Sequence, residues 1–319
     1  MLKSLKVVFM GTPEFSVNVL NKLIENTNVI GVVTQPDKIV GKNHEKSFTP
    51  VKKVAVLHNI KVLQPEKIRK EYDDILSLEP DIIITCAYGQ IIPEEVLNYP
   101  KYGCINVHAS LLPKLRGGAP IHHAIIDGYD KTGITIMYMD KGMDTGDIIK
   151  SSEIPILDDD TVGSLHDKLS ILGSDLLIET LPSIINGTNE RIKQDENLVT
   201  YGYNIKREEE IINFNKNCLE IFNQIRGLNP FPGAYMMIDG KTIKVYESEY
   251  LETDEYVDRI NGEIVISKKK LGIKCKNGII FLLDLKKEGK KRMKINDYLN
   301  GEKEELIGKV VNSSNGEIR

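Results

Sequence analysis

The sequence predicts an α/β protein in which a Rossmann-like parallel sheet forms an N-terminal domain and a smaller OB-like β-barrel follows it. Three observations support this fold class. Apolar strand-like runs alternate with amphipathic segments up to residue 185, a polar stretch covers 187–204, and short alternating runs with Gly and Asp turns fill the remainder. A chain of 319 residues is long enough for two domains. We therefore expect a catalytic domain at 1–188, a linker at 189–205 and a C-terminal domain at 206–319.

The N-terminal segment has the order strand, turn and helix that opens a doubly wound sheet. An apolar run at 5–10 leads through Gly11 into a helix ending near Ile24, for which Thr12 is the expected N-cap. Because Gly11 is the only glycine of that turn, the dinucleotide fingerprint is missing, and a nicotinamide dehydrogenase is disfavoured. Further strands are predicted at 29–33, 61–63, 81–85 and 104–108, and helices at 51–58, 66–78, 121–127 and 161–185.

Beyond these elements, two apolar runs at 133–139 and 147–154 flank a Gly- and Asp-rich turn, and we expect them to pair in antiparallel fashion. The C-terminal part predicts a short helix at 211–225. Five short strands are expected after it, at 234–238, 243–246, 263–267, 272–275 and 279–285.

The charge distribution separates the C-terminal part from the rest of the chain. The net charge is −4, yet residues 259–294 carry twelve basic and only three acidic side chains. A basic module in an acidic chain is typical of a polyanionic partner, and lysine-rich solvated strand edges are the alternative interpretation.

Composition excludes several other classes. No apolar run has the length of a membrane span, and the N-terminus has no signal-peptide pattern. The cysteines are widely spaced, which argues against a zinc site or a disulfide framework and fits a reducing cytoplasm; they are Cys86, Cys104, Cys218 and Cys275. The histidines likewise show no metal-ligand spacing. We expect a cytoplasmic protein with no metal.

The most informative stretch is 102–147. Read as a strand, 104–108 places Asn106 and His108 on the same face at the carboxyl end of a parallel strand, where such sheets place their sites. An amide can donate to a developing oxyanion, and an imidazole exchanges protons near neutral pH. The turn at 140–147 can return a carboxylate to this strand. Taken singly, a histidine is more often structural and a D-x-G turn is usually only a turn.

Together these residues resemble the folate-dependent formyltransferases. The matching motifs are Asn106-x-His108-x-Ser110-Leu111-Leu112-Pro113 and Asp140-x-Gly142-x-Asp144-Thr145-Gly146-Asp147. Segments at 9–15, 34–37, 87–89, 116–120, 198–201 and 225–232 are also similar to that family, and the last of these favours its two-domain branch that acts on methionyl-tRNA.

The resemblance implies specific roles. The catalytic residues would be Asn106, His108 and Asp144, and 10-formyltetrahydrofolate would be the formyl donor. Folate would lie along Ser110, Leu111, Leu112 and Pro113, beside Tyr88, Gly89 and Ile91. Initiator methionyl-tRNA would be the acceptor, contacted by Lys38, Lys42 and Lys46 of the 34–50 loop, by Arg116, and by Lys286, Lys290 and Lys291. We expect a monomer.

Two other functions remain open at this point. One is a formyltransferase of the same fold that acts on an amino sugar nucleotide, because it shares both motifs. The other is a non-catalytic RNA-binding protein that uses the basic C-terminal module.

Overall fold

A computed structural model gives the fold. It describes residues 2–40, 45–267 and 270–312, with only the backbone described at 40, 45, 46, 267 and 301–305. The chain divides into two compact units. The first comprises Met1–Pro120, Lys131–Pro155 and His166–Tyr203, and the second comprises Ile121–Asp130, Ile156–Leu165 and Asn204–Arg319. The linear boundaries that we place at 188 and 205 stay a prediction.

The first unit is built on a mostly parallel sheet. Its strands are β1 (Lys6–Gly11), β2 (Asn28–Val33), β3 (Lys38–Val40), β4 (Glu45–Ser47), β5 (Val62–Leu63), β6 (Ile82–Cys86), β7 (Cys104–His108), β8 (Lys131–Tyr138) and β9 (Ile148–Pro155). The seven-stranded order is β5-β2-β1-β6-β7-β8-β9, while β3 and β4 form a separate hairpin. The first five strands of this order run parallel to one another, whereas β8 pairs antiparallel with both β7 and β9. This mostly parallel sheet confirms the Rossmann-like expectation.

The helices of this part of the chain are α1 (Phe15–Asn26), α2 (Pro50–Leu57), α3 (Asp73–Leu76), α4 (Glu94–Leu97), α5 (Pro120–Ile126) and α6 (Val162–Asn186). The helix predicted at 66–78 is wrong over most of its length, because only α3 forms. The amide of Ile68 donates instead to the Gln90 side chain at 3.0 Å, and this contact holds 66–72 in turns. Thr12 does not cap α1: its hydroxyl donates to the Tyr88 carbonyl at 2.9 Å, and Glu14 is the N-cap.

The second unit contains α7 (Arg207–Glu210), α8 (Cys218–Gly227), β10 (Ala234–Ile238), β11 (Lys241–Glu252), β12 (Ile264–Ser267), β13 (Lys270–Cys275), β14 (Gly278–Lys287), β15 (Met293–Lys294) and α9 (Ile295–Leu306). The predicted helix at 211–225 begins only at Cys218, where Asn217 and Glu220 form a capping box. Residues before it are extended, since the Ile212 amide donates to the Tyr235 carbonyl.

The strands of the second unit form an antiparallel sheet of order β10-β11-β14-β13-β12, with β15 on β14. The chain at 309–312 joins the two edges of this sheet. Val311 donates to the Gly262 carbonyl beside β12, and Asn312 donates to the Met237 carbonyl in β10. An antiparallel C-terminal domain is therefore confirmed, and these bonds bridge its edge strands.

Candidate active site

The predicted catalytic pair lies where three strands of the first unit meet. Asn106 and His108 alternate along β7, so both side chains point from one face, as the spacing predicts. Asn106 is half-buried and His108 is only 6% exposed. Parallel β6 and antiparallel β8 flank β7, pairing Thr85 with Asn106 and Thr135 with His108.

The Asn106 amide is oriented by a neighbouring strand. The Thr85 hydroxyl donates to Asn106 Oδ1 at 2.9 Å, which fixes the oxygen end of the amide. With Oδ1 occupied, the Nδ2 group is the end left to face the cleft. Since Nδ2 carries two hydrogens and no lone pair for accepting, Asn106 can act there only as a donor.

His108 has its two ring nitrogens in different surroundings. Nε2 lies 3.0 Å from the carbonyl oxygen of Leu115, and because a carbonyl only accepts, Nε2 must carry a hydrogen. Nδ1 faces Asp144 Oδ1 at 3.7 Å. The loop after β7 thus sets the tautomer, and Nδ1 is the nitrogen available to exchange a proton with the carboxylate.

Asp144 is held on both its side chain and its backbone. The Gly117 amide donates to Asp144 Oδ2 at 2.8 Å. The Gln194 side chain donates to the carbonyls of Asp144 and Gly146 at 2.7 and 2.9 Å. Only glycine fits at position 146, since a Cβ there would lie 1.8 Å from the Tyr138 carbonyl oxygen. These contacts bring the D-x-G turn over the face of β7.

Three residues around this site have left-handed backbone. Ala87, Leu115 and Asp144 have φ values of 49°, 58° and 55°. Ala87 directly follows β6, Leu115 lies in the loop after β7, and Asp144 lies in the turn between β8 and β9. Such conformations cost about 1–3 kcal/mol per residue and persist at functional sites, where surrounding contacts enforce them. Leu115 supplies the carbonyl that binds His108, so its conformation directly serves the imidazole.

Two of the four residues in the predicted folate segment, 110–113, are buried. The Ser110 side chain is fully buried and donates to the Lys114 carbonyl at 2.7 Å, which makes it part of its own turn. Leu112 is 7% exposed, and its amide donates to Thr135. Leu111 and Pro113 are partly exposed. The cofactor role of this segment stays a prediction, with Leu111 and Pro113 as its accessible members.

The second predicted folate segment presents mixed surfaces. Tyr88 is 5% exposed and packs in a core cluster with Ile68 and Ile92; burial raises the pKa of its phenol. Among the described residues its hydroxyl has no hydrogen-bond partner. Gly89 has a φ of 92°, and Ile91 is 65% exposed. Of this segment, Ile91 is thus the exposed apolar member, and its cofactor role stays a prediction.

A cavity of about 550 Å³ adjoins the first residue of β7, at the end of the strand away from His108. Its lining includes Leu97, Cys104, Tyr138 and Met139, and none of the predicted folate residues. The Cys104 thiol lies 3.7 Å from the Met139 sulfur and is buried, which raises its pKa. Cys104 therefore has a core-packing role.

The structure argues against the predicted tRNA contact of Arg116. Its side chain is 2% exposed, and it donates two hydrogen bonds to Glu196 and one to Gln194 Oε1 at 3.0 Å. The Glu196 carboxylate raises the pKa of Arg116, and Arg116 in turn lowers the pKa of Glu196. With its donors engaged by Glu196 and Gln194, Arg116 ties 194–196 to the loop that follows β7, and its tRNA contact stays a prediction.

The structure describes some of the lysines predicted to contact tRNA more fully than others. Lys38 is exposed at the start of β3, Lys42 lies outside the described residues, and Lys46 is described only by its backbone in β4. Lys286, Lys290 and Lys291 are all exposed in the second unit. Other basic residues of 259–294 have internal partners; Arg259 binds Glu263, Lys270 binds Glu249, Arg292 and Lys294 bind Asp284, and Lys274 donates to a backbone carbonyl.

Three functional neighbours are not evident from the sequence motifs. Thr85 orients Asn106, Thr135 binds the Ser110 carbonyl at 2.7 Å, and Gln194 holds the Asp144 loop. Thr85 has a detectable signal, because it is the polar last residue of a predicted strand whose carboxyl end meets that of β7. Gln194 has none, since it acts from 50 residues away in a polar irregular segment.

Metal and membrane features are missing from the part of the chain that the structure describes. No group of three or more His, Cys, Asp or Glu side chains within it could hold a metal ion. Likewise, none of its described helices combines the length and apolarity that crossing a membrane requires.

Comparison with known proteins places this site in a family. A profile of the formyl transferase family matches residues 5–181, and a profile of the formyl transferase C-terminal domain matches 204–303. The chain belongs to the formyltransferase family. Among curated formyltransferases, the methionyl-tRNA formyltransferase of Staphylococcus aureus strain MW2 is 51% identical over 308 residues, which cover 95% of this chain and 98% of that protein.

Solved formyltransferases share the fold at lower identity. The N-formyltransferase from Helicobacter canadensis, in complex with folinic acid and dTDP-3-aminofucose, has a TM-score of 0.65 at 24% identity, covering 88% of this chain and 98% of that one. Methionyl-tRNA formyltransferase from Clostridium thermocellum has a TM-score of 0.55 at 19% identity, covering 77% and 93%. At these identities the likeness establishes the fold alone.

Proposed function

We propose that this formyltransferase moves the formyl group of 10-formyltetrahydrofolate to the α-amino group of methionyl-tRNA, giving N-formylmethionyl-tRNA for translation initiation. The observation that carries the assignment is the 51% identity with a curated methionyl-tRNA formyltransferase over 95% of the chain. A folate derivative bound to the Helicobacter relative supports a folate donor. The match of both family profiles supports a two-part formyltransferase.

The reaction needs charge stabilisation and the relay of one proton. The amine lone pair attacks the formyl carbon, and the carbonyl electrons move onto oxygen to give a tetrahedral oxyanion. When this intermediate collapses, the C–N10 bond breaks, and the proton lost by the amine ends on N10. The enzyme therefore has to hold an oxyanion and carry a proton from one nitrogen to another.

Asn106 is the proposed oxyanion donor. Thr85 holds its oxygen end, so Nδ2 faces the cleft as a donor before substrate arrives. A donor fixed in advance costs no reorganisation in the transition state, and loss of one such donor raises a barrier by about 2.7–4 kcal/mol.

His108 and Asp144 are the proposed proton carriers. Nδ1 and Oδ1 face each other at 3.7 Å, while Nε2 and Oδ2 are anchored by the backbone at Leu115 and Gly117. The unanchored atoms are thus the pair that can exchange a proton. Asp144 Oδ1 accepts the amine proton and passes it to Nδ1 of His108, and the resulting imidazolium gives that proton to the departing N10.

The acceptor RNA is assigned to exposed lysines. Lys286, Lys290 and Lys291 are exposed and lie in a chain segment whose other cations largely pair with carboxylates. We assign phosphate contacts to these three and to Lys38, while the roles of Lys42 and Lys46 rest on the sequence. Contacts of this kind supply affinity and position without reading bases.

The test is a transfer assay with purified protein, 10-formyltetrahydrofolate and two acceptors: methionyl-tRNA and a dTDP-linked amino sugar. We expect formylmethionyl-tRNA as product and no formylated sugar. Formylation of the sugar alone would overturn the assignment. Tight tRNA binding without turnover of either acceptor would indicate a non-catalytic RNA-binding protein.

A further inference from the structure

Two tyrosines of the segment after Gln194 form an exposed stack beside the loop at 111–119, which contacts His108 and Asp144. The rings of Tyr201 and Tyr203 lie 5.2 Å apart between centroids, with planes inclined by only 2°. They are 45% and 56% exposed. Offset parallel rings at this separation are a favourable aromatic arrangement, and an exposed stack can be extended by a third flat ring.

Backbone pairing fixes the position of this stack. Residue 201 bridges Arg116 in parallel: the Arg116 amide donates to the Thr200 carbonyl at 2.9 Å, and the Gly202 amide donates to the Arg116 carbonyl at 2.8 Å. The Ala119 amide then donates to the Gly202 carbonyl at 2.8 Å. Strand-like alternation turns buried Gly202 inward and puts both tyrosines on the outer side.

Close packing at Gly202 prevents the stack from moving away. A Cβ at Gly117 would lie 2.8 Å from the Gly202 carbonyl oxygen, and one at Gly202 would lie 3.1 Å from the Pro120 backbone. The same loop supplies the Gly117 amide that binds Asp144 and the Leu115 carbonyl that binds His108. The tyrosines are therefore rigidly coupled to the loop that holds the catalytic carboxylate.

The chemistry of the acceptor requires a place for a nucleobase near that loop. The attacking amine belongs to an amino acid esterified to the ribose of the last nucleotide, so its base lies only a few bonds from the reacting atoms. Acceptor ends are single-stranded there, and single-stranded bases bind proteins by stacking on aromatic side chains. We propose that Tyr201 and Tyr203 are a stacking platform for the 3′-terminal base of the aminoacylated acceptor. This inference rests on the proposed function.

The binding test uses an RNA hairpin with a single-stranded 3′ end whose last base is 2-aminopurine. Stacking quenches this fluorophore, and the chain contains no tryptophan to interfere. We expect quenching by the wild type and by Tyr203→Phe, and its loss with Tyr203→Ala and Tyr201→Ala. Tyr99→Ala is the matched control, since Tyr99 is also 45% exposed, and it should quench like the wild type. Full quenching by the Tyr201→Ala, Tyr203→Ala double variant overturns the proposal.

A kinetic test distinguishes failure of the stacking platform from failure of the proposed function. We expect the double variant to raise the KM for methionyl-tRNA about tenfold or more and to leave the KM for 10-formyltetrahydrofolate unchanged. A rise in the folate KM alone would assign the rings to the donor and contradict the proposal. If the wild type formylates methionyl-tRNA and the double variant does so equally well, only the platform is wrong. If the wild type does not, the proposed function and the platform both fall.

Discussion

At the scale of single residues, one polar atom of each of Asn106, His108 and Asp144 is held by a neighbouring group, which leaves the other for the proposed chemistry. Thr85 takes the oxygen of the Asn106 amide, Leu115 takes Nε2 of His108, and Gly117 takes Oδ2 of Asp144. The remaining ends are a donor, a proton carrier and a carboxylate oxygen. This division is what a formyl transfer needs, since it develops one oxyanion and moves one proton.

The Thr85 contact predicts a positioning effect. Thr85→Val removes the hydroxyl without changing the shape much, and it leaves the Asn106 amide free to rotate. We expect kcat to fall about five- to tenfold with little change in either KM, in line with about 1 kcal/mol for one hydrogen bond. Thr85→Ser keeps the donor and is the matched control. In an Asn106→Ala background, Thr85→Val should cost nothing more, and an additive loss there would contradict the role.

At this scale the sequence predicts the positions of some site residues and misses the contacts of others, for physical reasons. Asn106 and His108 follow from strand alternation, which is local. The phosphate contact predicted for Arg116 stays a prediction, and its ion pair with Glu196, 80 residues away, weighs against it. A partner so distant in the chain leaves no mark in the sequence next to Arg116. Gln194 is missed for the same reason. The trio's catalytic roles stay a prediction that the geometry supports.

At the scale of elements, strand β7 carries Asn106 and His108, and the loops after β7 and β8 supply the groups that contact His108. The expected parallel strands and the antiparallel β8–β9 pair are confirmed because their apolar runs are periodic and local. The helix predicted at 66–78 is wrong over most of its length: only Asp73–Leu76 is helical, and the preceding residues turn and contact Gln90 through the Ile68 amide. Amphipathic spacing cannot reveal such a contact. Residues 200–202, within the linker expected at 189–205, pair along 113–119 and support the loop that follows β7.

The ion pair that fastens this segment predicts a pH dependence. Arg116 lowers the pKa of Glu196 below its ordinary value of 4.5, so the pair stabilises the fold fully above pH 4.5 and loses its contribution as pH falls through the lower folded value. Glu196→Gln should lower Tm slightly at pH 7, because an ion pair with an exposed carboxylate contributes little to stability. The difference from wild type should shrink below pH 4.5.

The measurement is Tm against pH for both proteins, with Glu190→Gln as a control on an exposed carboxylate of the same segment. The control should track the wild type at every pH. A Glu196→Gln deficit that stays constant into acid would mean that packing, and not the ion pair, accounts for the loss.

At the scale of the whole molecule, the surface charge predicts how RNA is held. The chain is acidic overall, yet exposed Lys286, Lys290 and Lys291 lie on its most basic stretch. Reversing all three to Glu should weaken binding of initiator tRNA. The salt dependence should flatten by about 0.9 log unit for each duplex phosphate that is no longer neutralised, and by less for single strands. Folate affinity should not change, because folate binding is assigned to the other unit.

The check is the Kd for initiator tRNA over a range of salt concentrations. Reversal of exposed Lys53, Lys61 and Lys67 gives the same change in net charge and serves as the control. If both triple variants weaken binding equally, general charge is responsible. If neither changes the slope, the basic stretch is a solvated strand edge, the alternative that charge alone left open.

The central claim is that Asn106, His108 and Asp144 act as one unit in formyl transfer to methionyl-tRNA. The most direct measurement is the single-turnover rate of formylmethionyl-tRNA formation by the wild type, the three Ala variants and the triple variant, with Tm recorded for each. Each single substitution should slow transfer by at least about a hundredfold at nearly unchanged Tm, and the triple variant should be little slower than the slowest single one. A wild-type rate in His108→Ala, or losses that simply multiply in the triple variant, would contradict it.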